Sequence, residues 1–178
     1  SDIGGTASCS NTDIQACITT HASSGNTINA PAGSCTWTDS VNIPETKTII
    51  LVGAGSGAGG TIISRANPML YSLSPNSRIS GFRFNLTGTG SAPLLEVRNT
   101  GFRVDHNYFD NQTGLSREGV IASGTNLTMS PTGVIDNNIF NECRVGSYGM
   151  GTFLKQNIAW QEASTFGEAG TVYVEDNI

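Results

Sequence analysis

Three acidic side chains hold the same place in a repeated pattern along the second half of the chain. Asp105, Asp136 and Glu175 each directly follow an aliphatic residue. If the repeats stack as neighbouring strands ~4.8 Å apart, the three carboxylates form a column. Calcium binds carboxylate oxygens but takes about 6–8 of them, so the column predicts at most a weak calcium site. The alternative is a solvated acidic edge whose charges are shielded by Arg103 or Arg144.

The long segment 141–170 carries aromatic side chains that could stack on sugar rings. Loops that leave a repeated scaffold often carry binding residues. We therefore predict carbohydrate contacts by Tyr148, Trp160 and Phe166. The alternative is that these rings cover the edge of a sheet.

Asp105 and His106 are neighbours in the sequence and have the chemistry of an acid–base pair. Successive residues of a strand point to opposite faces, so we predict that these two side chains do not meet. His106 is expected instead at a bend, in line with Asn137 and Asp176 of the later repeats.

All of these positions belong to a short motif that occurs four times. Its copies begin at Ile79, Val104, Ile135 and Val174, with offsets of 25, 31 and 39 residues. A motif repeated at such spacing indicates a solenoid, and the lack of helical periodicity indicates coils made of strands. The sequence therefore predicts an all-β protein, a parallel β-helix, with loops of different length leaving a common coil.

Asparagine recurs inside three copies of the motif, as Asn107, Asn138 and Asn177. Asparagine tolerates left-handed backbone, and in stacked coils its amide can bond the asparagine above and below. We predict an asparagine ladder that satisfies buried turn backbone. The alternative is that these are exposed turn residues.

One segment, residues 12–23, is predicted to be a helix. Thr12 and Gln15 fit a capping box, and apolar residues follow at helical spacing. This helix is expected to cap the open end of the first coil. The chain then divides into an N-terminal cap with the first coil, residues 1–45, and the remaining coils, residues 46–178.

The fourth copy of the motif stops at Ile178, before the phenylalanine that the other copies carry. A solenoid rarely leaves such an end bare. We therefore expect this chain to be the N-terminal part of a longer β-helix.

The composition excludes several classes of function. Charged residues make up 13% of the chain, the net charge is −5 and no basic run is present, so nucleic-acid binding is not expected. No apolar run approaches the ~20 residues of a membrane span. Few lysines, many polar residues and an even number of cysteines favour a secreted or cell-surface protein.

The cysteines predict one disulfide, between Cys9 and Cys35, because both lie in the region of the cap. The competing pair is Cys17 with Cys35. Cys17 falls on the apolar stripe of the helix and is predicted to be a thiol. Cys143 lies too far along the stack to reach the cap.

Two stretches of the chain resemble a known superfamily. Residues 9–64, from Cys-Ser-Asn-Thr-Asp through Asn-Ala-Pro-Ala-Gly to Thr-Ile-Ile, look like the start of many pectate-lyase-like proteins. Residues 102–109, Phe-Arg-Val-Asp-His-Asn-Tyr-Phe, resemble a strand of pectate, alginate and chondroitin lyases. The resemblance implies a right-handed parallel β-helix with an N-terminal capping α-helix, in an extracellular protein directed at polysaccharides.

Lyases of this superfamily act on uronate-containing glycans with a Lys or Arg base, often with calcium. The resemblance makes Arg117, Arg144 and Lys155, in the segments between motif copies, the candidate catalytic cations. Elimination needs a base and a positive group together, so these scattered cations predict that the chain alone is inactive. The alternative is a non-catalytic structural β-helix, as in an adhesin, a phage tailspike or an extracellular scaffold. The oligomeric state stays open.

Overall fold

The strands of the chain stack in the manner of a solenoid. The computed structural model describes residues 2–66, 70–88, 93–113, 117–123, 131–148 and 172–178. The strands are β1 (Asp2–Gly5), β2 (Asn26–Ala30), β3 (Gly33–Trp37), β4 (Val41–Ile43), β5 (Ile49–Gly53), β6 (Thr61–Arg65), β7 (Leu70–Ser72), β8 (Arg78–Ser80), β9 (Phe82–Leu86), β10 (Leu95–Arg98), β11 (Phe102–Asp105), β12 (Tyr108–Asn111), β13 (Arg117–Ser123), β14 (Gly133–Asp136), β15 (Ile139–Asn141), β16 (Cys143–Tyr148) and β17 (Val172–Glu175).

These strands form three parallel sheets. The first sheet has the order β1-β2-β5-β8-β11-β14-β17, the second β15-β12-β9-β6-β3 and the third β16-β13-β10-β7-β4. From β2 to β16, each coil of the chain gives one strand to each sheet, so residues at the same motif position lie above one another. The predicted parallel β-helix with a helical segment near the N-terminus is confirmed.

The interior of the β-helix is built from columns of like side chains. In the first sheet the column is fully buried and aliphatic, and it contains Ile28, Leu51, Ile79, Val104 and Ile135. In the second sheet it contains the stacked rings of Phe84, Phe109 and Phe140, with successive centroids 5.5 and 4.9 Å apart. Burying one such side chain stabilises the fold by roughly 1.5–3 kcal/mol. The motif repeats because each coil must match the coil below it.

A sharp bend joins the first sheet to the second in every copy of the motif. The bend residue has positive φ: 76° at Gly81, 57° at His106, 55° at Asn137 and 50° at Asp176. The expected alignment of His106 with Asn137 and Asp176 is confirmed. The left-handed conformation, however, falls one position before the asparagines to which the sequence analysis assigned it.

The asparagines form a hydrogen-bonded column directly after this bend. The backbone N–H of Asn107 donates to Oδ1 of Asn138 at 3.0 Å, and the N–H of Asn138 donates to Oδ1 of Asn177 at 2.9 Å. In the preceding coil, the N–H of Phe82 donates to Oδ1 of Asn107 at 3.0 Å. Asn107 and Asn138 are buried, so they are not exposed turn residues.

The N-terminal cap starts earlier than the sequence analysis predicted. An α-helix spans Asn11–Ala16 and continues as a π-helical turn, Cys17–His21. Ser10, not Thr12, caps it: its hydroxyl oxygen accepts the N–H of Asp13 at 3.1 Å. The reciprocal bond of a capping box is relayed by Ser8, whose hydroxyl oxygen accepts the N–H of Ser10 and whose hydroxyl donates to Oδ2 of Asp13.

A disulfide joins the cap to the first coil. It links Cys9, just before the helix, to Cys35 on β3, with 5.7 Å between the Cα atoms. Cys17 is a half-buried thiol, and burial raises its pKa. The competing pair, Cys17 with Cys35, is therefore not the one formed.

Candidate functional site

The acidic column lies on the outer side of the first sheet, and its first two members are buried. Asp105 pairs in register with Asp136, and Asp136 with Glu175. Asp105 is 0% exposed and Asp136 is 4% exposed. The expectation of a solvated acidic edge is wrong for these two residues, because side chains of the same face lie over their carboxylates.

Arginines from the neighbouring coil cover the two buried carboxylates. Arg78 donates through Nε to Oδ1 of Asp105 at 2.7 Å and through Nη2 to its Oδ2. Arg103 makes the same two-pronged contact with Asp136, at 3.1 and 2.7 Å. Arg103 is thus one of the two shielding arginines predicted from the sequence, whereas Arg78 was not predicted. Arg144, the other predicted shield, lies on β16 of the third sheet.

Asp105 and His106 do meet, against the sequence-based prediction. Nδ1 of His106 lies 2.8 Å from Oδ2 of Asp105, and the imidazole is 61% exposed. The prediction assumed continuous strand geometry, but the left-handed bend at His106 turns its side chain back toward Asp105. Asn137 repeats this contact, donating to Oδ2 of Asp136 at 2.7 Å. The contact is therefore a recurring feature of the bend.

The environment of Asp105 favours its ionised form. Burial by itself raises the pKa of this carboxyl, but hydrogen bonds from Arg78 and His106, with the charges of Arg78 and Arg103, outweigh burial. The net result is a pKa below the ordinary value of 3.8. Asp105 is therefore a fixed counter-charge rather than a proton donor at neutral pH.

This pKa shift predicts acid sensitivity that depends on Asp105. Because the folded pKa is lower than the unfolded one, the stabilisation is complete above about pH 5 and is lost as the pH falls through the folded pKa. The wild type should melt at a higher temperature than Asp105→Asn at pH 6. This difference in melting temperature should shrink by roughly 2–4 °C when the pH is lowered to 3. Asp39→Asn, at an exposed carboxylate, controls for net charge. Parallel melting curves of wild type and Asp105→Asn across this range would contradict the assignment.

Arginines already occupy the two buried carboxylates of the acidic column, Asp105 and Asp136. Both oxygens of Asp105 accept hydrogen bonds from Arg78, and both oxygens of Asp136 accept them from Arg103. A cation would have to displace a guanidinium group to reach either carboxylate. Among the residues that the structure describes, no group of three His, Cys, Asp or Glu is placed to hold a metal ion.

A second cluster, which the sequence analysis missed, lies on the outer side of the second sheet. We call it the second-sheet face, and it consists of Arg83, Asn85, Tyr108, Asp110 and Asn141. Arg83 donates to Oδ2 of Asp110 at 2.7 Å and to Oδ1 of Asn85 at 3.0 Å. Asn141 donates to Oδ1 of Asp110 at 2.8 Å. One buried carboxylate thus organises three coils.

The guanidinium group of Arg83 stacks on the ring of Tyr108 in the second-sheet face. The guanidinium carbon of Arg83 lies 4.6 Å from the ring centroid of Tyr108. Ile139 continues the same column and is 41% exposed. Burial raises the pKa of Asp110, but hydrogen bonds from Asn141, Arg83 and Gln112 outweigh it, so the net pKa is lowered. The result is a rigid row of polar and aromatic side chains along the coils.

The signal for this face was present in the repeated motif. Arg83, Tyr108 and Ile139 each stand directly before the stacked phenylalanine of their copy, and such positions alternate outward. Extending the alignment of the copies by one residue past the phenylalanine would also have aligned Asp110 with Asn141.

The other sequence-based candidates are only partly located by the structure. Arg117 begins β13 and Tyr148 ends β16, and these two strands are neighbours in the third sheet. Their register places Glu118 opposite Arg144. Lys155, Trp160 and Phe166 lie outside the described residues. The structure therefore places Arg117 and Arg144 on neighbouring strands, and the role of the three candidate cations stays a prediction.

In the described part of the chain, no helix has the length and apolar character needed to cross a bilayer.

No protein-family model matches the chain, and no curated protein or solved structure matches it either.

Proposed function

We propose that this chain is an extracellular, polysaccharide-directed β-helix protein that engages a glycan along the second-sheet face. The observation that carries the proposal is the row of pre-oriented planar side chains there. Arg83, Asp110 and Asn141 hold each other in place across three coils, beside the ring of Tyr108.

The chemistry of this face suits sugars. A sugar ring offers hydroxyl groups at its edge and an apolar C–H surface on its face. Amide, guanidinium and phenol groups can donate to or accept from hydroxyls, while Tyr108 and Ile139 offer apolar surface. Because the polar groups are already fixed by mutual hydrogen bonds, binding orders few side chains and loses little entropy.

An extracellular location agrees with the disulfide between Cys9 and Cys35. Disulfides persist in oxidising compartments and are rare in the cytosol. The low content of charged residues and the regular coils agree with a long, stiff extracellular module.

Affinity electrophoresis through gels that contain xylan, hydroxyethylcellulose, polygalacturonate, alginate or chondroitin tests the proposal. At least one polysaccharide should retard the chain, and Tyr108→Ala should weaken that binding about tenfold, equivalent to ~1.4 kcal/mol. Tyr71→Ala is the matched control, because Arg98 lies 6.0 Å over the Tyr71 ring on the third sheet. Equal losses in both variants, or no retardation by any polysaccharide, would contradict the proposal.

A non-catalytic structural role is the second candidate. It is favoured by the ion pairs and amide contacts that link one coil to the next, such as Arg78 with Asp105 and Arg103 with Asp136. These contacts stiffen the solenoid without presenting a reactive group. A lyase that uses Arg117, Arg144 or Lys155 would release unsaturated products, which ultraviolet absorbance detects. Glycan binding without such products favours the structural role.

A further inference from the structure

Four arginines on the outer faces of the β-helix are paired with carboxylates of the same chain. In the described parts of the chain these pairs are Arg78 with Asp105, Arg83 with Asp110, Arg98 with Glu96 and Arg103 with Asp136. Each pair has no net charge. Recognition of an acidic sugar needs a positive group that is available to the sugar's carboxylate. The charges of these four arginines are already neutralised.

The pair on the second-sheet face is held too firmly to be exchanged for a ligand. Asp110 is 4% exposed and accepts hydrogen bonds from Arg83, Gln112 and Asn141. A uronate that drew Arg83 away would leave a buried carboxylate without its counter-charge, which is strongly unfavourable. The approaching sugar carboxylate would also be repelled by Asp110 itself and by the net charge of −5.

The same face suits hydroxyl groups. Asn85 uses its carbonyl oxygen to accept from Arg83, and Asn141 uses its amide N–H to donate to Asp110. Asn85 can therefore offer its amide N–H to a ligand, and Asn141 its amide oxygen. The phenol of Tyr108 can both donate and accept. A hydroxyl needs this mixture of donors and acceptors, whereas a carboxylate needs donors alone.

We infer that the glycan bound at the second-sheet face is uncharged. This inference rests on the proposed function, because it names the class of polysaccharide that the same face takes. The ion pair between Arg83 and Asp110 is the selecting element: it removes the charge that would attract a uronate and keeps the polar geometry that a neutral sugar uses.

Matched pairs of polysaccharides with one backbone and different charge test the inference. Suitable pairs are carboxymethylcellulose with hydroxyethylcellulose, polygalacturonate with its methyl ester, and alginate with its propylene glycol ester. Neutral xylan and galactan extend the panel. We expect binding to a neutral member, with an apparent Kd that changes less than about twofold between 20 and 500 mM salt, because uncharged contacts are not screened.

The possible outcomes separate the two proposals. Binding to acidic members alone, weakened at least tenfold by salt, would overturn the inference and leave glycan binding at this face intact. No binding to any member would overturn both.

A single substitution tests the selecting element directly. Asp110→Asn keeps the shape of the side chain and removes the charge that neutralises Arg83, so the variant should gain salt-sensitive binding to carboxymethylcellulose or polygalacturonate, at least tenfold over the wild type. Glu45→Gln, which changes the net charge equally at an exposed loop residue, should show no gain. Circular dichroism verifies that both variants are folded. A folded Asp110→Asn without the gain would overturn the inference, and the glycan pairs test it on the wild type if this variant does not fold.

Discussion

Asn138→Ala should lower the free energy of unfolding by about 4 kcal/mol, because it leaves several buried polar groups without partners. The Asn138 amide accepts from the N–H and Nδ2 of Asn107, and it donates to the carbonyl oxygens of Val104 and Asp136. It is fully buried, so water does not replace these bonds. Urea denaturation followed by circular dichroism measures the loss.

Asn137→Gly is the matched control for this substitution. Asn137 is the exposed neighbour of Asn138, and glycine adopts its φ of 55° without strain. We expect the control to change stability by no more than about 1 kcal/mol. If both variants lost the same stability, the ladder would contribute no more than any other turn.

Repetition explains how much of the fold the sequence predicts. Each coil packs on the coil below, so the same position favours a similar side chain, and a buried residue such as Phe109 or Asn138 recurs in neighbouring coils. The recurrence makes the columns visible without coordinates. The N-terminal cap has no such recurrence, and its start was therefore displaced by two residues, from Ser10 to Thr12.

The site was harder to predict because its contacts run between coils. Arg78 reaches Asp105, a residue 27 positions later in the chain, and this offset depends on the length of the intervening loop. The pairing of Asp105 with His106 depended on a left-handed bend, and an alternating strand pattern cannot show such a bend. Residue types alone predicted the stacked columns of side chains. The contact between Asp105 and His106, in contrast, depends on the backbone conformation of His106.

Removing the disulfide should destabilise the chain by about 3 kcal/mol, since the loop between Cys9 and Cys35, a separation of 26 residues, would no longer be closed in the unfolded state. In the double variant Cys9→Ser/Cys35→Ser, the cap should also unfold before the coils do. Cys9 lies directly before the Ser10 cap, and its carbonyl oxygen accepts the indole N–H of Trp37 at 2.9 Å. Hydrogen exchange should therefore increase first in Asn11–Ala16.

Cys17→Ser separates the effect of the disulfide from the effect of losing a thiol. Cys17 sits on the same cap but is not bonded to another cysteine, so this variant should keep the wild-type exchange pattern, with a stability change of at most about 1 kcal/mol. Chemical reduction of the wild type should reproduce the double variant. If the reduced protein and the double variant both unfolded at the wild-type urea midpoint, the contacts of the cap alone would hold it on the first coil. The disulfide would then have no role in closing that end of the β-helix.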